Sequence, residues 1–101
     1  MVRGTTPTFT FTLPDTVDLT TANNVYVTFA QRNGSTLTMS GDDITVSAQT
    51  VDVYLSQEQS LMFLKGNITA QINWTYADGQ RACTNIVQIP VDANLLPEVL
   101  P

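Results

Sequence analysis

The residues best suited to chemistry in this chain are aspartates, which occur in two groups. Asp42 and Asp43 are adjacent and Asp52 follows one predicted hairpin later, a set of carboxylates that in principle suits calcium. Calcium loops place their ligands at denser, alternating spacing, whereas aspartates after a glycine are common in turns. Asp15 and Asp18 flank a loop and could in principle act as paired carboxylates. We favour the interpretation that they form the turn and terminate the strand. We therefore predict turn residues and no metal site at either group.

The chain contains no histidine. This removes the commonest general base and metal ligand, together with every Ser-His or Cys-His nucleophile pair. Cys83 is the only cysteine, so no intrachain disulfide can form, and we interpret it as a small buried strand residue rather than a reactive thiol. Since no glycine-rich loop with phosphate-binding spacing is present either, we predict no enzymatic activity, no catalytic residue and no cofactor.

Charge and hydropathy restrict the class of partner. The net charge is −5, and the four basic residues stand singly along the chain, at Arg3, Arg32, Lys65 and Arg81. Nucleic-acid binding requires a clustered basic patch, so we predict none. A run of about 18 apolar residues, the length of a membrane span, does not occur. Residues 1–8 lack the apolar core of a signal peptide, so we expect synthesis in a cytoplasm and no membrane association.

Alternating apolar and polar residues define the elements that would position these side chains. From Thr8 to Leu13 threonine alternates with large apolar residues, the pattern of a half-buried strand. Asn33 and Gly34 separate two further alternating runs and predict a hairpin with a type I′ turn. Altogether we predict seven strands, near residues 8–13, 24–32, 35–39, 44–47, 51–55, 68–76 and 80–89, the last ended by Pro90.

The segment 56–65 breaks the alternation. Ser56 and Gln59 have the spacing of a capping box, and Gly66 stands where a helix C-cap glycine is expected. Leu61, Met62 and Leu64 would form the apolar side of one short helical turn near residues 57–64. Many short strands with little helix predict an all-β fold, namely a seven-stranded antiparallel immunoglobulin-like sandwich.

The positions of the aromatic residues separate core from surface. Trp74 and Tyr76 share a face with Ile68 and Ile72, so we favour a core role over a sugar-stacking platform. The predicted core comprises Phe9, Phe11, Val27, Phe29, Ile72 and Trp74. Tyr26 and Tyr54 lie on the opposite face from the aliphatic residues of their strands, and exposed tyrosines are favoured interface anchors.

The C-terminal sequence "VDANLLPEVLP" differs from the rest of the chain. Pro90, Pro97 and Pro101 exclude a regular helix, and the apolar residues between them are too few to form a core. We therefore divide the chain into a sandwich domain, residues 1–90, and a docking tail, residues 91–101. The predicted protein-interface residues are Tyr26, Tyr54, Leu95, Leu96, Val99 and Leu100.

Several stretches resemble known phage proteins. "MVRGTTPTFTFTLP", "LSQEQS" and "YADGQ" resemble the small proteins encoded among the tail and structural genes of prophages of Gram-positive bacteria. More distantly, "VDLTTANNVYVTFAQRNGS" is similar to the immunoglobulin-like N-terminal domain of phage baseplate upper proteins, with Asp18, Leu19 and Thr20 as its entry and Gly34 as its turn.

The resemblance implies a non-enzymatic structural protein of the phage virion, synthesised in the bacterial host cytoplasm and located in the tail tip, baseplate or a connecting layer. Its partners would be other virion proteins or copies of itself, in a homo-oligomer or larger assembly, and the edge of the first strand would be completed by such a neighbour. Two alternatives stay open: a carbohydrate-binding adhesion module, and a small phage-encoded inhibitor of a host factor.

Overall fold

The computed structural model describes all 101 residues. It contains one short α-helix, α1 (Gln57–Leu61), and two 3₁₀ turns, at Leu19–Thr21 and Gly41–Asp43. None of the helices is long and apolar enough to span a membrane. The eight strands are β1 (Thr8–Thr12), β2 (Asn24–Ala30), β3 (Thr36–Ser40), β4 (Ile44–Val46), β5 (Thr50–Tyr54), β6 (Gly66–Thr75), β7 (Arg81–Cys83) and β8 (Val87–Val91).

The strands form two antiparallel sheets packed as a sandwich. One sheet has the order β1-β5-β4, and the other has the order β3-β2-β6, with β7 and β8 both paired to β6. In chain order this corresponds to strands B, C, C′, D, E, F and G of the immunoglobulin fold, with β7 and β8 together taking the place of strand G. The predicted all-β, immunoglobulin-like sandwich is thus confirmed.

The strand count differs from the prediction, because the predicted strand 80–89 is interrupted. β7 pairs Cys83 with Asn73, and β8 pairs Val87 with Ala70, so three residues on one strand face two on β6. This is a β-bulge, which bends the bulged strand. Thr84 bridges it, since its N–H donates to Ile72 O at 2.9 Å and its Oγ1 accepts from Ile72 N at 3.1 Å.

The end of that strand also differs from the prediction. Pro90 lies within β8, opposite Asn67, and the strand continues through the buried Val91. A proline is tolerated there because β8 is an edge strand and the backbone of Pro90 faces away from β6: its carbonyl accepts from the N-terminal amine of Met1 at 2.8 Å.

The hairpin between β2 and β3 is confirmed, but its turn is not type I′. No residue other than glycine has a positive φ, so Asn33 lacks the conformation that type I′ requires. Instead Gly34 N donates to Gln31 O, Gln31 N donates to Ser35 O, and Gly34 has φ +89°. This three-residue loop is a type I turn followed by a glycine bulge, and Asn33 Oδ1 stabilises it by accepting from Ser35 N.

The helix begins as predicted and ends earlier. Ser56 Oγ accepts from Gln59 N while Gln59 Oε1 accepts from Ser56 N, the reciprocal bonds of a capping box. Gly66 is the first residue of β6 and not a helix cap. The apolar anchor of this segment is Phe63, which is fully buried, whereas Leu64 is 57% exposed.

The core lies between the sheets. Val27, Phe29, Ile72 and Trp74 are buried as predicted. Phe9 and Phe11 pack against this core through Phe29, with ring centroids 5.9 and 6.5 Å away, but remain only half-buried. Both lie on β1, which is at the edge of its sheet and has a neighbouring strand on one side only.

Candidate interaction surfaces

The aspartates occupy the surface. Asp42, Asp43 and Asp52 line one cavity of about 380 Å³, but no three His, Cys, Asp or Glu side chains are arranged to hold a metal ion. Asp18 caps the first 3₁₀ turn, accepting from the Thr20 hydroxyl at 2.6 Å and from Thr20 N at 3.0 Å. These hydrogen bonds favour the carboxylate and lower the pKa of Asp18 from its ordinary value.

Cys83 is exposed, so the prediction that it is a buried strand residue was wrong. On β7 the half-buried neighbour Ala82 packs against the core, and the next residue of a strand must point to the opposite face. Cys83 therefore lies on the outer face of the larger sheet, paired with Asn73.

The two predicted tyrosines lie on different sheets. Tyr26, on β2, is 37% exposed and lines a cavity of about 450 Å³ with Leu19 and Val46. Tyr54, on β5, is 56% exposed and lines a separate cavity of about 290 Å³ that also contains Val99. The structure thus brings Tyr54 together with the C-terminal residues and leaves Tyr26 apart.

The C-terminal apolar residues are exposed on an anchored main chain. Leu95 is fully exposed, and Leu96, Val99 and Leu100 are about half exposed, at 49, 52 and 49%. We call residues 95–100 the C-terminal apolar segment. Its far end is held by Gln57, which makes two hydrogen bonds to the main chain of Leu100, at 2.7 and 3.2 Å.

The near end of this segment is held by Asn94. The Asn94 side chain donates to Arg3 O at 3.0 Å and accepts from Leu96 N at 3.0 Å. Each end of the segment is therefore fixed by a side-chain amide that bonds to main-chain groups, while the apolar side chains between them project into solvent.

The N-terminal residues and α1 form the base beneath this segment. Arg3 donates to Leu61 O at 2.7 Å and to Phe63 O at 2.8 Å, which satisfies carbonyls at the end of α1 and just beyond it. The fully buried Ser60 donates to Thr5 O at 2.6 Å and accepts from Gly4 N at 2.9 Å. The two chain termini and the helix consequently form one end of the molecule.

A groove that the sequence patterns did not predict lies on the open side of the sandwich. It has a volume of about 500 Å³ and runs between β1 and the bulge that separates β7 from β8; we call it the β1–β8 groove. No charged residue lines it. Its apolar lining is Phe11, Leu13, Pro14, Val17, Ile72, Trp74 and Val87.

One signal in the sequence marks this groove. Ile86 and Val87 are consecutive apolar residues, 64 and 47% exposed, and two neighbours cannot both face the core of a regular strand. The adjacency of Ile86 and Val87 in the sequence therefore indicates the bulge.

Comparisons of this chain with protein-family models, with curated proteins and with solved structures find no match.

Proposed function

We propose that this protein is a non-enzymatic structural component of a phage virion, of the tail tip, baseplate or a connecting layer, and acts through protein–protein contacts. The observation that carries the proposal is the C-terminal apolar segment. Four large apolar side chains are half or fully exposed there, and exposed apolar patches mark interaction sites.

The anchoring of the segment supports a docking role. A loose tail would have to be ordered on binding, and fixing the backbone of one residue costs roughly 1–2 kcal/mol. The bonds from Gln57 and Asn94 already hold the main chain, so part of this cost is met before a partner arrives. Tyr54, beside Val99, extends the same surface with an aromatic residue of the kind enriched at interfaces.

Localisation tests the virion assignment. The protein should be present at constant copy number in purified, washed particles of the phage that encodes it. Recovery only from infected-cell lysate would contradict the assignment and favour an inhibitor of a host factor. Binding to host cell-wall glycan by the isolated protein, without incorporation into particles, would favour an adhesion module instead.

A pair of substitutions tests the surface. Leu95→Asp places a charge on a fully exposed side chain and should leave the fold intact while reducing incorporation into particles. Leu64→Asp is the matched control, because Leu64 is also exposed but lies outside the C-terminal apolar segment. Equal incorporation of the two variants would show that the segment is not the contact.

A further inference from the structure

We propose that β1 pairs with β1 of a second copy of this chain, antiparallel and centred on Thr10, to join two three-stranded sheets into one six-stranded sheet. This goes beyond the proposed function, since it names a partner and a register, and it uses a surface other than the C-terminal apolar segment. In immunoglobulin constant domains strand A pairs with strand B, whereas here β1 holds the position of strand B and has a neighbour on one side only.

Backbone N–H and C=O groups of alternate β1 residues point to opposite edges of the strand, and only those pointing to β5 are hydrogen-bonded. Leu13 N donates to Gln49 O and Leu55 N donates to Pro7 O, so the odd-numbered residues bond towards β5. In an antiparallel ladder the alternate residues point their N–H and C=O groups the other way. Thr8, Thr10 and Thr12 therefore present their backbone groups at the free edge.

The sequence of β1 is a palindrome, TFTFT. Antiparallel pairing about Thr10 places Thr10 opposite its own copy, and Thr8 opposite Thr12 of the second copy. These are the residues with free backbone groups, so the register satisfies the hydrogen-bonding phase on both strands. A two-fold interface requires this self-complementarity.

The same register covers the incomplete flank of the core. Phe9 would face Phe11 of the second copy as a non-hydrogen-bonded pair, in which side chains approach most closely. Both rings are only half-buried in the single chain, and Phe11 lines the β1–β8 groove. The grooves of the two copies would adjoin, and no charge in their lining opposes the contact.

β3 is the other edge strand of this length, and it is less suited than β1 to pairing with a second copy. β3 is also five residues long and its free edge presents Thr38 in the equivalent phase. Its sequence, TLTMS, is not a palindrome, and pairing about Thr38 would place Leu37 opposite Met39 of the second copy. Met39 is already buried, at 3% exposed, so a partner at β3 would not cover an incomplete flank of the core as a partner at β1 would. The remaining edges are protected differently, because β4 and β7 have only three residues each, while β8 contains Pro90 and the residue that follows it is paired with Val2.

Matched proline variants test the proposal. By size-exclusion chromatography with light scattering, the wild type should be a dimer. Thr10→Pro removes an N–H that has no partner within the chain and should abolish the dimer, whereas Thr38→Pro, the same change at the edge of β3, should retain it. Thr10→Lys and Thr38→Lys repeat the comparison without altering the backbone, and circular dichroism verifies the fold of each variant.

Cross-linking tests the register directly. In a Cys83→Ser background, Thr10→Cys should form a disulfide dimer on mild oxidation, because residues directly opposite in a hydrogen-bonded pair have Cα atoms about 5.5 Å apart. Thr38→Cys should stay monomeric on a reducing-agent-free gel. The proposal is overturned by a monomeric wild type, by a dimer that survives in folded Thr10→Pro, or by equal cross-linking at both positions. Leu95→Asp should remain dimeric, which separates failure of this proposal from failure of the C-terminal contact.

Discussion

Gln57 and Leu100 are joined by two hydrogen bonds across 43 residues of chain: Leu100 N donates to Gln57 Oε1 at 2.7 Å, and Gln57 Nε2 donates to Leu100 O at 3.2 Å. The amide of Gln57 thereby pairs with both main-chain groups of one residue, as a neighbouring strand would. Since Gln57 is in the first turn of α1, the helix determines where the C-terminal apolar segment lies.

Gln57→Ala should release the end of this segment. Amide hydrogen exchange at residues 98–100 is expected to rise, because Leu100 N loses its acceptor. The free energy of unfolding should fall by no more than about 1 kcal/mol, as these hydrogen bonds are exposed to solvent. Glu58→Ala, a neighbouring change on α1, serves as the control, and unchanged exchange in Gln57→Ala would contradict the anchoring role.

Trp74→Ala should destabilise the protein by about 3–5 kcal/mol, the cost of removing a large aromatic side chain from a packed core. Trp74 is 3% exposed, and its Nε1 donates to Tyr76 Oη at 2.9 Å. Denaturant unfolding measures the change, with Tyr54→Ala as a control at an exposed aromatic residue. A loss no larger than that of the control would place Trp74 outside the core.

Ser60→Ala should cost about 1–3 kcal/mol, because it leaves Thr5 O and Gly4 N without their partner where α1 meets the N-terminal residues. Ser47→Ala removes an exposed hydroxyl and should change the free energy of unfolding by less than about 0.5 kcal/mol. If both variants melt at the same temperature, the Ser60 hydroxyl does not tie these elements together.

Asp18 should contribute to the pH dependence of stability. Its pKa is lowered in the folded state by hydrogen bonds from the Thr20 hydroxyl and Thr20 N, so its contribution is present above the ordinary value of 3.8. The contribution is lost as the pH falls through the folded pKa, because both states then bind the proton. The melting temperature of wild type should thus exceed that of Asp18→Asn at neutral pH, and the difference should shrink below pH 3.8. In a Thr20→Val background this pH-dependent difference should be smaller.

Calcium should not stabilise the protein, because Asp42, Asp43 and Asp52 line their cavity without metal-binding geometry. Asp52 Oδ1 is moreover occupied by the hydroxyl of Thr10, at 2.7 Å. The melting temperature is expected to be the same in millimolar calcium chloride and in chelator. A strong increase with calcium that chelator reverses would establish a site.

Local patterns in the sequence were enough to predict the strands, the β2–β3 hairpin and the start of α1. The alternation around Val27 and Phe29 and the spacing of Ser56 and Gln59 reflect local structure that involves only a few consecutive residues. Such local structure can be predicted from the segment alone, without knowing the rest of the fold. The outward orientation of Tyr26 and Tyr54 followed from the same alternation, because the side-chain period of a strand is two.

The tertiary structure decided features that depend on what each strand packs against. The burial of Phe63 rather than Leu64, and the bulge at Thr84, arise from the fit of α1 and of β7–β8 against the rest of the sandwich. Likewise, the alternation in β1 shows two faces but not that one edge lacks a neighbour, since strand order is set by contacts between residues far apart in the chain. The sequence alone determined that Phe9 and Phe11 share a face, and only the packing of the two sheets left both rings half-buried at an open edge.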